Sequence, residues 1–206
     1  ESEINGMGPV IRKEDLELLY EQLDTLKDDD VLVLAGSIPS GMPQSIYRDI
    51  MSRLQSKRIK IAVDATKDLL MNVLAYHPFV IKPNNHELSE IFDIMIDSKE
   101  KAVVYAKKLQ KKGAQNVIVS MAGEGAVFVG SDGSVFISEA PHGVVKNSVG
   151  AGDSMVAGFL AGYLAKGDYA EAFKMGLCTG SASAFSDQLA TREEVEQVRR
   201  SHIFDF

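Results

Sequence analysis

The feature that most constrains the fold is a regular alternation of short apolar runs with longer segments of helical period. Runs that are apolar along their length are typical of parallel strands, because helices cover both faces of a parallel sheet through right-handed crossovers. We therefore predict a βαβ series in an α/β fold. The predicted strands are "VLVLAG", "IKIAVD", "FVIKP" and "NVIVS"; the predicted helices are "KEDLELLYEQL", "PQSIYRDIMSRLQSK" with Pro43 in its first turn, "NHELSEIF", and "KEKAVVYAKKLQKKG" closed by Gly113.

The pattern changes after "NVIVS". The runs "GAVFVG" and "SVFISE" flank "SDG" and predict a hairpin at an antiparallel margin of the sheet. Helices finish the chain, and "GAGDSMVAGFLAGYLAKG" carries many small residues, which favour a buried helix packed close to its neighbours. The sequence shows no internal repeat and no linker, so one large domain is expected.

Composition narrows the class of protein. The 206 residues are 45% hydrophobic and 25% charged, which is typical of a globular domain. A net charge of −7 argues against nucleic acid as a partner, and no window approaches the roughly 20 apolar residues of a membrane span. One cysteine, Cys178, excludes an internal disulfide framework; we interpret it as a small core residue and expect a reducing cytoplasmic location.

The stretch "NSVGAGDSMVAGF" places Asp153 directly after the turn Gly150-Ala151-Gly152, at the start of a predicted helix. Unpaired N–H groups and a partial positive charge make such a turn a candidate anion site. An isolated aspartate at a helix start is more often a cap than a catalytic group. The choice therefore depends on the rest of the chain.

Other polar residues fall at or just after the predicted strand ends, where parallel sheets bind ligands. Each of these residues alone could equally well be a turn former, but together they predict one ligand-binding site. The chain has no P-loop, no dinucleotide fingerprint, no second histidine for a zinc helix and no aspartyl-phosphate motif. The strand-end residues are Gly36 and Ser37, Asp64, Asn84 and Glu87, and Ser120.

Three motifs in this order resemble the ribokinase, or phosphofructokinase B, family of sugar kinases: "GSIPSG", "KPNNHEL" and "SVGAGDSMVAG". The resemblance covers the whole chain and implies a ribokinase-like three-layer α/β/α fold with a mostly parallel sheet. It also implies that residues 1–206 are the C-terminal two-thirds of a kinase domain, its ATP-binding and catalytic portion. The family's N-terminal sugar site and small β lid are then missing upstream of "ESEIN".

The resemblance implies a role for each matching residue. Asp153 is expected to be the general base and a substrate contact, with Gly150, Ala151 and Gly152 as the anion hole and Ser37 as a second substrate contact. Asn84 and Glu87 are expected to hold Mg²⁺. In "SMAGEGA", Ala122 stands where the family has a glycine, and we expect Gly123 to compensate. The residues expected to bind ATP are Lys67, Ser120, Ala122, Gly123, Gly125, Gly150 and Gly152.

Within the family, "VDATKDLL", "NSVGAGDSMVAGF" and "SASAFSDQLATREEV", with "EINGMGP" near the start, are most similar to kinases of fructose 1-phosphate. The implied reaction is ATP-dependent phosphorylation to fructose 1,6-bisphosphate. Two alternatives stay open: a tagatose-6-phosphate kinase, and a non-catalytic nucleotide- or phosphate-binding module. The implied partners are a sugar phosphate, ATP and a second subunit joined through the missing lid. We expect these 206 residues alone to be inactive and prone to aggregate, because the sheet would have an open edge.

Overall fold

The structure is a computed structural model that describes residues 8–39 and 41–206. The first residues of "EINGMGP", and Ser40 of "GSIPSG", therefore lie outside the described residues. Among the described residues, six strands form one sheet in the order β1-β2-β3-β4-β5-β6. The strands are β1 (Val31–Ala35), β2 (Lys60–Asp64), β3 (Val80–Ile81), β4 (Asn116–Ser120), β5 (Ala126–Val129) and β6 (Val135–Ser138).

The register confirms the predicted mostly parallel sheet. β1 to β4 pair in parallel, and β5 and β6 pair antiparallel as the predicted hairpin at the margin. Helices connect the parallel strands and finish the chain. They are α1 (Lys13–Asp24), α2 (Ile46–Leu54), α3 (Lys67–Met71), α4 (Asn85–Phe92), α5 (Lys99–Lys111), α6 (Ala151–Lys166), α7 (Tyr169–Phe185) and α8 (Arg192–Ser201).

Two hydrophobic cores lie on opposite faces of the sheet. Because side chains alternate along a strand, Ile61 and Val63 of β2 face the core beneath α1–α5, while Ala62 faces the core beneath α6 and α7. The second core is rich in aromatic rings, among them Phe128 and Phe159, whose centroids are 5.4 Å apart. The predicted three-layer α/β/α architecture is confirmed.

The glycines of α6 and α7 let these two helices pack closely. A Cβ on Gly158 would lie 2.7 Å from the carbonyl oxygen of Met175, and one on Gly180 would lie 3.0 Å from that of Ala151. The small residues in "GAGDSMVAGFLAGYLAKG" are therefore needed for helix contact, as predicted. Cys178 is buried nearby, and desolvation raises the pKa of its thiol to about 12, which fits the core interpretation.

One predicted helix boundary is wrong. α2 begins at Ile46, so Pro43 precedes the helix and does not lie in its first turn. The Pro43 carbonyl instead accepts a hydrogen bond from the Ile46 amide at 3.0 Å, closing a turn that leads into the helix. Among the described residues, no helix is both long and apolar enough to cross a bilayer.

Candidate active site

The carboxyl ends of the parallel strands meet at one edge of the sheet. There the amide of Gly36, just after β1, donates to the carbonyl of Asp64, the last residue of β2, at 3.1 Å. Further across the sheet, Asn84 forms a parallel bridge with Ser120, the last residue of β4. The fold thus brings these four residues into one row along the edge where parallel sheets bind ligands.

The glycine turn that begins α6 lies at the same edge. Gly150 has a φ of 79°, a left-handed conformation that glycine adopts at no steric cost. A Cβ on Gly150 would lie 2.8 Å from a methyl carbon of Leu189, and one on Gly152 would lie 3.1 Å from Nζ of Lys82. Gly150 therefore needs glycine for its backbone conformation, and at Gly152 a side chain would displace the Lys82 ammonium by a few tenths of an ångström.

Asp153 is the third residue of α6, and its side chain is exposed. The residue in the N-cap position is Gly150, so Asp153 is not the cap that an isolated aspartate would be. The Ala151 amide donates to the Ser148 carbonyl at 3.2 Å, so an anion at this turn would compete with that bond for the Ala151 N–H. The first turn of α6 thus carries an exposed acid beside a glycine turn.

A buried ion pair lies against this turn. Nζ of Lys82 and Oδ2 of Asp64 are 3.2 Å apart, and the side chains are only 8% and 17% exposed. Burial raises the pKa of the Asp64 carboxyl, Lys82 opposes that rise, and the charge on Asp153 adds to it. Asp153 is therefore within electrostatic range of the pair, and Lys82 presents a buried cation to the start of α6.

Asn84 and Glu87 form a reciprocal cap at the start of α4. The Asn84 side chain accepts from the Glu87 amide, and Glu87 Oε2 accepts from the Asn84 amide, both at 2.8 Å. Burial raises the pKa of the Glu87 carboxyl, while the nearby charge of Lys82 lowers it. Within the described residues, no group of three or more His, Cys, Asp or Glu side chains could hold a metal. A hard cation here would therefore keep mostly water or phosphate ligands, which suits Mg²⁺.

A cavity of about 600 Å³ opens beside this row of residues. It lies between the end of β4, the loop 139–148, the start of α6 and the last turns of α7. Its volume is in the range of small-molecule sites. Of the residues predicted to bind nucleotide, those that line it are Ser120, Ala122, Gly123, Gly125 and Gly152.

The loop after β4 keeps a glycine-like backbone despite its alanine. Ala122 itself has a φ of 47°, whereas Gly123 does not adopt a positive φ. The left-handed residue of this loop is therefore Ala122, and compensation by Gly123 stays a prediction. Gly125 has a φ of 93°, and a Cβ there would lie 2.1 Å from the Ser138 carbonyl oxygen. This second glycine is required by the close approach of β6.

Of the predicted site residues, Gly150, Asp153 and Glu87 each adjoin a residue that lines the cavity but do not line it themselves, while Ser37 and Lys67 lie elsewhere. Ser37 is exposed in the loop after β1, on the β1–β2 side of the sheet. That loop is held by the Tyr47 hydroxyl, which lies 2.7 Å from the Ala35 carbonyl and 3.1 Å from the Gly36 carbonyl. Lys67 is at the start of α3, where its ammonium pairs with Glu90 at 3.3 Å.

Sequence reasoning missed Lys82 as a site residue. A signal was present, because a lysine directly after the apolar residues of "FVIKP" stands where a parallel strand ends. Its burial and its contacts with Asp64 and Gly152 depend on how three separate segments meet, which no local pattern reports. Tyr47 was missed for the same reason.

A three-layer α/β/α fold with a helix N-terminus, a buried lysine and an exposed acid at the carboxyl edge of its sheet is typical of α/β proteins that bind phosphate groups. The chain belongs to the pfkB family of carbohydrate kinases, whose family model matches residues 1–194. The resemblance drawn from the three motifs is thereby confirmed.

Individual relatives are similar to this protein over most of its chain. A 1-phosphofructokinase of Bacillus subtilis is 46% identical over 198 residues, 96% of this chain and 65% of that protein. A D-tagatose-1-phosphate kinase of Bacillus licheniformis is 28% identical over 96% of this chain and 65% of its own. A solved structure, a putative phosphofructokinase from Staphylococcus aureus, has a TM-score of 0.90 and 38% identity over 97% of this chain and 65% of its own. The chain thus spans just under two thirds of these relatives.

Proposed function

We propose that these 206 residues form the ATP-binding and catalytic portion of a kinase that converts fructose 1-phosphate into fructose 1,6-bisphosphate. The observation that carries the proposal is the position of Asp153 and Lys82 between two regions of the same edge. On one side is the cavity of about 600 Å³. On the other are the ends of β1 and β2 with Ser37. A phosphoryl group passing from one region to the other would cross the start of α6.

The nucleotide fits the cavity in one direction. Its phosphates belong at the end near Ser120 and Gly152, where backbone N–H groups and the buried Lys82 ammonium favour negative charge. Its base belongs among the apolar residues of the loop 139–148 and α7. The γ-phosphate then lies next to Gly152, and the sugar hydroxyl approaches from the side of Ser37.

The chemistry follows from this placement. The C6 hydroxyl oxygen attacks the γ-phosphorus, the new O–P bond forms as the bond to the β,γ-bridging oxygen breaks, ADP leaves and the proton passes to Asp153. In a loose transition state the nucleophile loses its proton late, so a weak base is sufficient. The amides of the glycine turn and the Lys82 ammonium stabilise charge on the transferring group.

Asn84 and Glu87 are the residues that would hold a Mg²⁺ ion, a hard cation that prefers oxygen ligands. When bound, Mg²⁺ neutralises charge on the phosphates of ATP. The protein's part is to hold the Glu87 carboxylate in place, which the cap on α4 does. Lys67 is bound to Glu90 and would need to leave that exposed pair to reach a nucleotide.

Two alternatives keep the same site. A tagatose-6-phosphate kinase would bind a ketose whose phosphate is at the end opposite to that of fructose 1-phosphate. The relative named D-tagatose-1-phosphate kinase suggests a third substrate, an epimer of fructose 1-phosphate with its phosphate also at C1. A non-catalytic phosphate-binding module would need the glycine turn but no acid, so the position of Asp153 favours an enzyme. Self-association through the lid and a cytoplasmic location stay predictions.

The substrate is tested by comparing kcat/KM for fructose 1-phosphate, fructose 6-phosphate, tagatose 1-phosphate and tagatose 6-phosphate with ATP and Mg²⁺. The assay uses the longest natural polypeptide that contains these 206 residues. We expect fructose 1-phosphate to lead by at least about tenfold, a difference of roughly 1.4 kcal/mol in transition-state binding. If either tagatose phosphate gave the highest kcat/KM, the chain would still be a sugar kinase but the proposed reaction would be wrong. If no sugar phosphate were turned over, the result would favour the non-catalytic binding module.

Glu87→Gln is expected to raise the Mg²⁺ concentration needed for half-maximal activity by about tenfold, because one anionic ligand is lost. Glutamine keeps an oxygen that can accept from the Asn84 amide, so the cap on α4 survives. Asp15→Asn is the matched control, since Asp15 closes the same kind of cap on α1 with Arg12, and no residue of α1 lines the cavity. Magnesium titrations that coincide for wild type and Glu87→Gln would remove Glu87 from the metal site.

A further inference from the structure

The apolar end of the cavity contains a close contact, between Gly143 and Phe185, that the sequence did not predict. It is formed by the loop around Gly143 and the last turn of α7 at Phe185, and both residues line the cavity. Pro141, Val145 and Ala184 line the cavity beside them, and His142 is the polar neighbour in the same loop. With phosphates at the α6 end, an apolar and aromatic lining here suits a flat heteroaromatic base.

Gly143 lies directly on the face of the Phe185 ring. A Cβ on Gly143 would be 2.4 Å from Cδ2, 2.4 Å from Cε2 and 2.6 Å from Cζ of Phe185. These distances are far inside van der Waals contact, so any other residue would push either the loop or the ring away. The position needs glycine because of this close approach, since its φ is not left-handed.

Hydrogen bonds and packing fix the positions of both residues in this contact. The amides of Lys146 and Asn147 donate to the Ala184 carbonyl at 2.8 and 3.2 Å, which ties the loop to the end of α7. Phe185 packs against the buried cluster that contains Cys178 and Ala182. The distance between the loop 139–148 and the end of α7 is therefore set by the Phe185 ring, which lies against the Cα of Gly143.

We propose that the Gly143–Phe185 contact determines the width of the base end of the cavity, and so which purine nucleotides the enzyme accepts. The proposal rests on the proposed kinase function and deepens it by naming the pair that selects the phosphoryl donor. A Cβ on Gly143 changes the fit of the base, and removal of the Phe185 ring restores room for that Cβ. The ring also excludes bases that carry a large substituent.

The first test is a double-mutant cycle on ADP affinity, measured by calorimetry without sugar. Gly143→Ala is expected to weaken ADP binding about tenfold, or roughly 1.4 kcal/mol. In the Phe185→Ala background, the same Gly143→Ala change is expected to alter affinity by less than about twofold, because the atoms that a Cβ would meet are gone. Additive effects of the two changes would overturn the proposal.

The second test uses an ATP analogue enlarged at the base, N6-benzyl-ATP. Phe185→Ala is expected to raise kcat/KM for the analogue relative to ATP at least tenfold. Phe204→Ala is the control, because Phe204 packs against the same buried cluster but does not line the cavity, so it reproduces the loss of packing alone. An equal gain in the two variants, or no gain in Phe185→Ala, would contradict the selective role.

The kinase function and the role of the Gly143–Phe185 contact would be refuted by different results. Wild-type protein that binds no ADP would refute the proposed kinase function itself. Wild-type protein that binds ADP but shows additive changes at Gly143 and Phe185 would refute only the role of this contact. Thermal melting of each variant with and without ADP identifies a variant that has not folded. If that variant is Phe185→Ala, an ADP affinity of Gly143→Ala equal to that of wild type would overturn the proposal.

Discussion

Asp153→Asn should lower kcat by a factor of about 10² to 10⁴, the usual loss when a general base is removed. Asparagine keeps the shape of the side chain in the first turn of α6 but cannot accept the proton of the attacking hydroxyl. Because Asp153 is exposed and is not the N-cap residue, the fold should tolerate the change. ADP affinity and Tm are therefore expected to stay close to those of wild type.

The control for Asp153→Asn is Glu193→Gln. Glu193 is an exposed acid in the first turn of α8, so its removal reports the loss of a favourable charge at a helix start, about 0.3 to 1 kcal/mol. Steady-state kinetics and thermal melting of both variants separate chemistry from helix stability. Full turnover by Asp153→Asn would remove the base from the proposed mechanism and restore a purely structural reading of this aspartate.

Lys82→Met should lower kcat by about 10² to 10³, because the buried ammonium no longer stabilises charge on the transferring phosphoryl group. The variant should also lose stability, since Asp64 is left buried without its partner at 3.2 Å. Breaking a buried pair in this way typically costs about 3 to 5 kcal/mol. Kinetics and denaturant unfolding on the same sample measure the two effects separately.

A second variant separates these two effects of Lys82. Lys82→Met combined with Asp64→Asn removes both charges, so unfolding free energy should recover toward that of wild type. Turnover should remain low, because the cation beside Gly152 is still absent. Recovery of turnover in the double variant would mean that Lys82 acts on the fold alone and does not contact the phosphoryl group.

Much of the architecture could be predicted because local patterns report local structure. Apolar runs such as "VLVLAG" predict buried strands without reference to their partners, and the hairpin at "SDG" follows from its turn residues. Boundaries were less predictable where a turn competes with a helix. Pro43 is compatible with the first turn of a helix and with a turn that precedes it. In the structure its carbonyl accepts a hydrogen bond from the Ile46 amide, which forms the preceding turn.

The site was predictable only as a set of candidates. Asn84 and Glu87 could be found from their spacing, but the same spacing also builds the cap on α4, so the sequence could not separate the two roles. The backbone at Ala122 shows a further limit. Its φ of 47° is imposed by a loop held between β4 and β5, where the amino-acid type alone predicts the opposite.

By itself, the sequence determined the order of strands and helices, the α/β class and the glycine turn before Asp153, because each depends on residues adjacent in the chain. Only the tertiary structure decided that Lys82 is buried against Gly152, that Tyr47 holds the loop of Ser37, and that Gly143 lies on Phe185. These contacts join residues far apart in sequence. Their distances depend on how closely whole helices and loops pack against the sheet, and that packing is a property of the assembled layers.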